Sequence, residues 1–74
     1  MPRDWSRWVK GTLRAEMQRR HVSYDELVRR LADIGVEETS ANLRNKISRG
    51  SFTAAFFVQC LSVIGVASLR LDDD

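Results

Sequence analysis

Three glycines, and the capping residues ahead of the segments they close, constrain this chain more than its composition does. Gly35 follows the segment that opens with "SYDE", Gly50 closes "NLRNKISRG", and Gly65 stops the apolar run that begins after "RGSFT". Glycine is favoured in the left-handed position just past a helix. Ser, Thr and Asp are favoured just before one, where a side-chain oxygen accepts an otherwise orphaned amide. Between these marks apolar residues recur at three- and four-residue spacing, and β-branched alternation is nearly absent, so the segments read as helices.

Four helical segments are expected. The first runs from about Trp5 to Arg20, capped by Asp4, with Trp5, Trp8, Val9, Thr12, Leu13 and Met17 on one stripe. Gly11 interrupts it at a cost of about 1 kcal/mol against alanine, either to permit a close helix contact or as a plain surface glycine. In the second, Ser23 caps the amide of Glu26 while Glu26 reaches back to the Ser23 amide. Tyr24, Leu27, Val28 and Leu31 form its buried face, and Ile34 closes it. The third starts from Thr39 or Ser40 and reaches about Ser48. The fourth begins near Thr53; with Phe52, Phe56, Phe57, Cys60, Leu61 and Ile64 it is apolar on nearly every side and reads as the central core helix. The tail "VASLRLDDD" reads equally as a short strand or a loose turn. The expectation is one all-α, compact four-helix domain over residues 1–74.

A chain of 74 residues buries only about 60% of its unfolded surface, so its core is small. Disulfides cannot supplement it, because Cys60 is the only cysteine; a reducing compartment fits best. No apolar stretch approaches the ~18 residues that span a bilayer, and the N-terminal segment has no signal-peptide core, so a cytoplasmic protein without membrane contact is expected. Homodimerisation stays open as a further source of burial, with Val66, Leu69 and Leu71 as the apolar tail residues available to it.

The net charge of +2 says little, but its distribution says more. Residues 1–21 hold six Lys/Arg against two acids, residues 22–39 two against five, residues 40–56 three against none, and residues 57–74 one against three. The third helix is the odd one. Leu43 and Ile47 define its inward side, and Ala41, Asn45, Ser48 and Arg49 fall opposite, with Asn42 and Arg44 on the flanks. A solvated helix usually mixes both signs to form i,i+4 pairs, and this one has no acid to pair with. Asn bonds an adenine edge bidentately, Arg bonds a guanine edge, and Ala or Ser permits close approach. Lys46 and Arg49 suit phosphates, as does the capped N-terminus of the second helix.

The run "MQRRHVSYDELVRRL", and "ANLRNKISRG" followed by "F" and an apolar helix ending in "IGV", resemble lambda-repressor-like helix-turn-helix domains over roughly residues 13 to 66. The whole chain also resembles a small uncharacterised bacterial family of helix-turn-helix-like domains. The first resemblance implies double-stranded DNA as partner and a role in transcription regulation. It places base contacts at Ser40, Ala41, Asn42, Arg44 and Asn45, and backbone contacts at Ser23, Tyr24 and Arg49, the last equally a cap of the third helix; Lys46 and Ser48 are added as backbone contacts from their place on the helix. Two features depart from the lambda pattern. Val28 stands where a small residue is usual, and the glycine turn comes about one helical turn late, leaving Glu37 and Glu38 near a docked duplex. That acidic turn and the modest net charge favour an alternative, a protein–protein interaction module on the same scaffold without DNA binding.

Other chemistry is sparse. His21, the only histidine, reads as a favourable charge at the first helix's C-terminal end. One His and one Cys do not make a usual metal site. The chain offers no glycine-rich phosphate loop and no nucleophile with a base at suitable spacing, so neither an enzyme, a cofactor nor a small-molecule ligand is expected.

Overall fold

A computed structural model describes residues 4–71. It contains α1 (Trp5–Arg19), α2 (Tyr24–Asp33), α3 (Ser40–Arg49) and α4 (Ala54–Val63). Each helix starts where a side-chain oxygen meets an amide three residues on. Asp4 accepts from Arg7 N at 3.1 Å, Ser23 from Glu26 N at 3.1 Å, Thr39 from Asn42 N at 3.1 Å and Thr53 from Phe56 N at 3.0 Å. Each such cap contributes about 1 kcal/mol. The return half of the expected capping box is missing. The Glu26 carboxylate turns instead to Arg29 and to Arg30 Nε, the latter at 2.9 Å.

The ends of α1, α2 and α4 are closed by one recurring device. At the end of α2, Val36 N donates to Leu31 O at 2.9 Å and Gly35 N to Ala32 O at 3.0 Å, with Gly35 at φ 83. Paired bonds of this kind satisfy carbonyls the helix itself leaves orphaned. The same pair closes α1 through Val22 N to Met17 O at 2.9 Å and His21 N to Gln18 O at 3.2 Å. Here the left-handed residue is His21, at φ 57. Besides its place near the carbonyl end of the helix, it therefore takes the backbone role that a glycine fills elsewhere.

One core joins the four helices. Leu13 and Met17 of α1, Val22 of the turn after it, Leu27 and Leu31 of α2, and Leu43 and Ile47 of α3 meet Phe56, Phe57, Cys60, Leu61 and Ile64 from α4 and its end. Helices α1 and α2 each pack on both α3 and α4. Phe52, in the turn before α4, lies over Phe56 and Phe57 with ring centroids 5.7 and 6.0 Å apart. Polar ties fix the crossings: Lys10 Nζ donates to Ser48 O at 3.0 Å, and Arg30 Nη1 to Val63 O at 3.2 Å. Each satisfies a carbonyl at the C-terminal end of a partner helix.

Several expectations change in detail. Ile34 is 51% exposed and caps α2 by its backbone, not by closing the apolar face. Trp5 is exposed, while Trp8 and Val9 pack on the core edge. A Cβ at Gly11 would meet nothing within 4 Å, so that glycine serves no close helix contact. At Gly50 the case is opposite: a Cβ would lie 2.6 Å from Ser6 O, so the α3 C-terminus sits directly against the backbone of α1. The tail forms no strand among the described residues; Val66 tucks onto the core and residues 67–71 run as irregular, exposed chain. The terminal acids Asp72, Asp73 and Asp74 lie outside the described residues.

Candidate nucleic-acid interface

The outward side of α3 is built by the two inward residues. Leu43 and Ile47 are fully buried, and their four-residue spacing sends the side chains between them to the opposite surface. Ala41, Asn42, Arg44, Asn45, Ser48 and Arg49 are all exposed. The helix carries no acid, and the side chains of Asn42, Asn45 and Arg49 have no hydrogen-bond or ionic partner among the described residues.

Two expected contact residues are engaged within the fold. Lys46, half-buried on the flank, pairs with Glu38, whose side chain is only 7% exposed, and its ammonium lies 4.7 Å from the centre of the Phe56 ring. A phosphate would have to compete with that carboxylate for it. The arrangement also draws Glu38 inward from the wide turn, leaving Glu37 as the exposed acid there. Ser40 is half-buried and donates its hydroxyl to Asp25. Behind the Glu38–Lys46 pair lies Cys60. Burial pushes its thiol from the ordinary 9.0 up to about 12, Glu38 adding to the rise and Lys46 opposing it. A thiol so protonated and covered is a core filler, not a nucleophile.

Beside α3 runs a groove of about 320 Å³ where the end of α1 meets the start of α2. Ser23, Tyr24 and Arg44 line it, joined by Arg14 and Gln18 of α1 and by Asp25. Arg44 lies over the Tyr24 ring at 5.0 Å, which orients the guanidinium without consuming its N–H donors. Arg14 and Gln18 are additions to the residues expected at this surface. Their four-residue spacing puts them on one face of α1, but that this face borders α2 depends on the crossing of the helices. On the other side of α3, Arg49 borders a cleft of about 310 Å³ with Ser51 and Thr53 at the start of α4.

The fold and this surface define a small all-α domain whose third helix presents amides and cations outward. The chain belongs to the family described as a domain of unknown function, DUF6471, whose model matches residues 5–69. No curated protein and no solved structure matches it. Among the described residues no helix is long and apolar enough to cross a membrane, and no cluster of three or more His, Cys, Asp or Glu side chains is arranged to hold a metal ion.

Proposed function

We propose that this domain binds double-stranded DNA with α3 in the major groove and acts as a transcriptional regulator. One observation carries the reading: the exposed row of α3 combines small residues with Asn42, Asn45 and Arg49, whose side-chain polar groups have no partner among the described residues. Ala41 and Ser48 allow close approach, Asn42, Arg44 and Asn45 have the donors and acceptors of base edges, and Arg49 suits a phosphate. On the flank, Arg14, Gln18 and the capped start of α2 at Ser23 and Tyr24 supply donors for a second stretch of backbone. Ser40 and Lys46 contribute through Asp25 and Glu38, as supports of the helix and not as direct ligands of the duplex.

The test is a titration of labelled duplex at low and moderate salt with Asn42→Ala, Arg44→Ala and Asn45→Ala alongside. Each of these truncations should reduce discrimination between sequences by roughly 1–3 kcal/mol. Arg49→Ala should weaken all duplexes alike and flatten the dependence of log K on log salt by about 0.9. Lys46→Ala should leave that slope nearly unchanged. Absent or variant-insensitive binding sinks the proposal. The reading left standing would be a protein-interaction module, which Asp25 favours: this exposed acid, beside Ser40 at the start of α3, is poorly placed for a phosphate strand.

A further inference from the structure

From Ser51 through Leu69 the chain has no Asp, Glu, Lys, Arg or His, although 30% of all its residues are charged. Burial explains only part of this stretch. On α4 the exposed positions are Ala54, Ala55, Val58 and Ser62, and Val58 is 60% exposed. Next to them, the tail folds back to leave an apolar groove of about 180 Å³ lined by Val58, Leu61, Ser62, Val66, Ala67 and Leu69. Leu69 is itself 38% exposed. A solvated helix face usually carries charges, as α1 and α2 do.

We propose that the outward face of α4 and the groove beside it form a two-fold interface between two copies of this chain. In a two-fold contact the same patch faces itself, so any charge near its centre meets a like charge. The outward faces of α1 and α3 both carry unbalanced or numerous cations, and would repel their own copies. The α4 face carries none. A partner recognised by charge, acidic or basic, would find nothing complementary there, whereas a second copy brings a surface that is equally uncharged. The patch holds an exposed apolar side chain, Val58, with the apolar groove beside it, so that a second copy would add apolar surface to apolar surface. Val58 stands midway along the exposed row from Ala54 to Ser62, so two antiparallel α4 helices would cross close to it, with alanine and serine permitting near approach. One helix face and one groove lie at the low end of specific interface sizes, so the dimer should be weak when free and dissociate on dilution. The proposal does not depend on DNA binding.

The experiment is sedimentation equilibrium of the full chain across a wide concentration range without DNA. The wild type should shift from monomer towards dimer as concentration rises. Val58→Glu and Val58→Lys, at an exposed position, should each remain monomeric with unchanged helical circular dichroism and melting. An equimolar mixture of the two should associate again, because opposite charges then meet across the axis. Ala55→Arg, on the same row, should also be monomeric and folded. A wild type that is monomeric up to its solubility limit overturns the interface, whatever the outcome of the duplex titration. So does a Val58→Glu protein that dimerises like the wild type. Failure of the mixture to associate overturns the two-fold placement of Val58.

Discussion

Helices α2 and α3 are close to replicas in construction and opposites in surface chemistry. Each has ten residues and a hydroxyl N-cap that accepts the amide three residues on. Each anchors itself by two fully buried aliphatic side chains four residues apart, Leu27 and Leu31 in one, Leu43 and Ile47 in the other. On α2, however, both arginines pair with Glu26 inside the helix, and Arg30 also ties α4. On α3, Arg44 has only the Tyr24 face beneath it, and the side chains of Arg49 and the two asparagines have no partner among the described residues. The inward halves hold the fold, and they are equivalent. The outward halves therefore differ for a reason other than holding the helix in place, which is why the interface is sought on α3 and not on α2.

The strongest way to break this comparison is to attack the shared half. Leu31→Ala and Leu43→Ala should each cost about 2–5 kcal/mol, comparable to the whole stability of a domain this small. Both proteins should be largely unfolded or melt far below the wild type in urea and heat. If one is tolerated much better than the other, the two helices are not equal anchors and their inward halves are not equivalent.

A smaller effect separates the helix ends. Gly35 and Gly50 both have left-handed backbones, and in both alanine would meet the ordinary strain of about 1–2 kcal/mol. Only at Gly50 does the added methyl also meet a backbone carbonyl, that of Ser6, so overpacking adds about 1–3 kcal/mol more. Gly50→Ala should thus be clearly less stable than Gly35→Ala in a denaturant titration. Equal losses would mean that α1 can move away from the end of α3 at no cost, and that α3 is less firmly held than α2.

What is legible in the sequence follows a physical line. Caps and left-handed glycines act within four or five residues, so Ser23, Thr53, Gly35, Gly50 and Gly65 mark the helix ends without knowledge of the fold, and the cap of α3 is narrowed to Thr39 or Ser40, of which Thr39 takes the role. Apolar spacing likewise identifies Leu43 and Ile47 as inward and, by elimination, the outward row of α3. The long-range polar ties are not legible in this way. Whether Lys46 meets a phosphate or Glu38 depends on the path of the wide turn, and Glu38 is eight residues away with a helix start between. Glu26 has two plausible destinations on its own helix, the Ser23 amide and the arginines one turn on, and charge prevails. The close approach of Gly50 to Ser6 and the groove shared by Arg14, Gln18 and Arg44 require the helix crossings themselves.

The smallest effect is the most specific to the contrast between the two outward halves. Glu26→Gln removes the pairing charge from both arginines of α2, an arrangement partly open to solvent. The loss should be about 1 kcal/mol or less and should shrink at high salt. On α3 the matching change should have the other sign. The Asn45 side chain is exposed and bonds nothing among the described residues, and asparagine is a poorer helix former than alanine, so Asn45→Ala should raise stability by roughly 0.5 kcal/mol, independent of salt. A thermal or urea series at two salt concentrations reads both. A protein that keeps Asn45 at a cost to its own helix keeps it for something outside the fold, whether a base edge or another protein. If Asn45→Ala instead destabilises the domain by more than about 0.5 kcal/mol, beyond what an unpartnered surface site allows, the side chain has an internal partner after all, and the outward row of α3 is structural like that of α2.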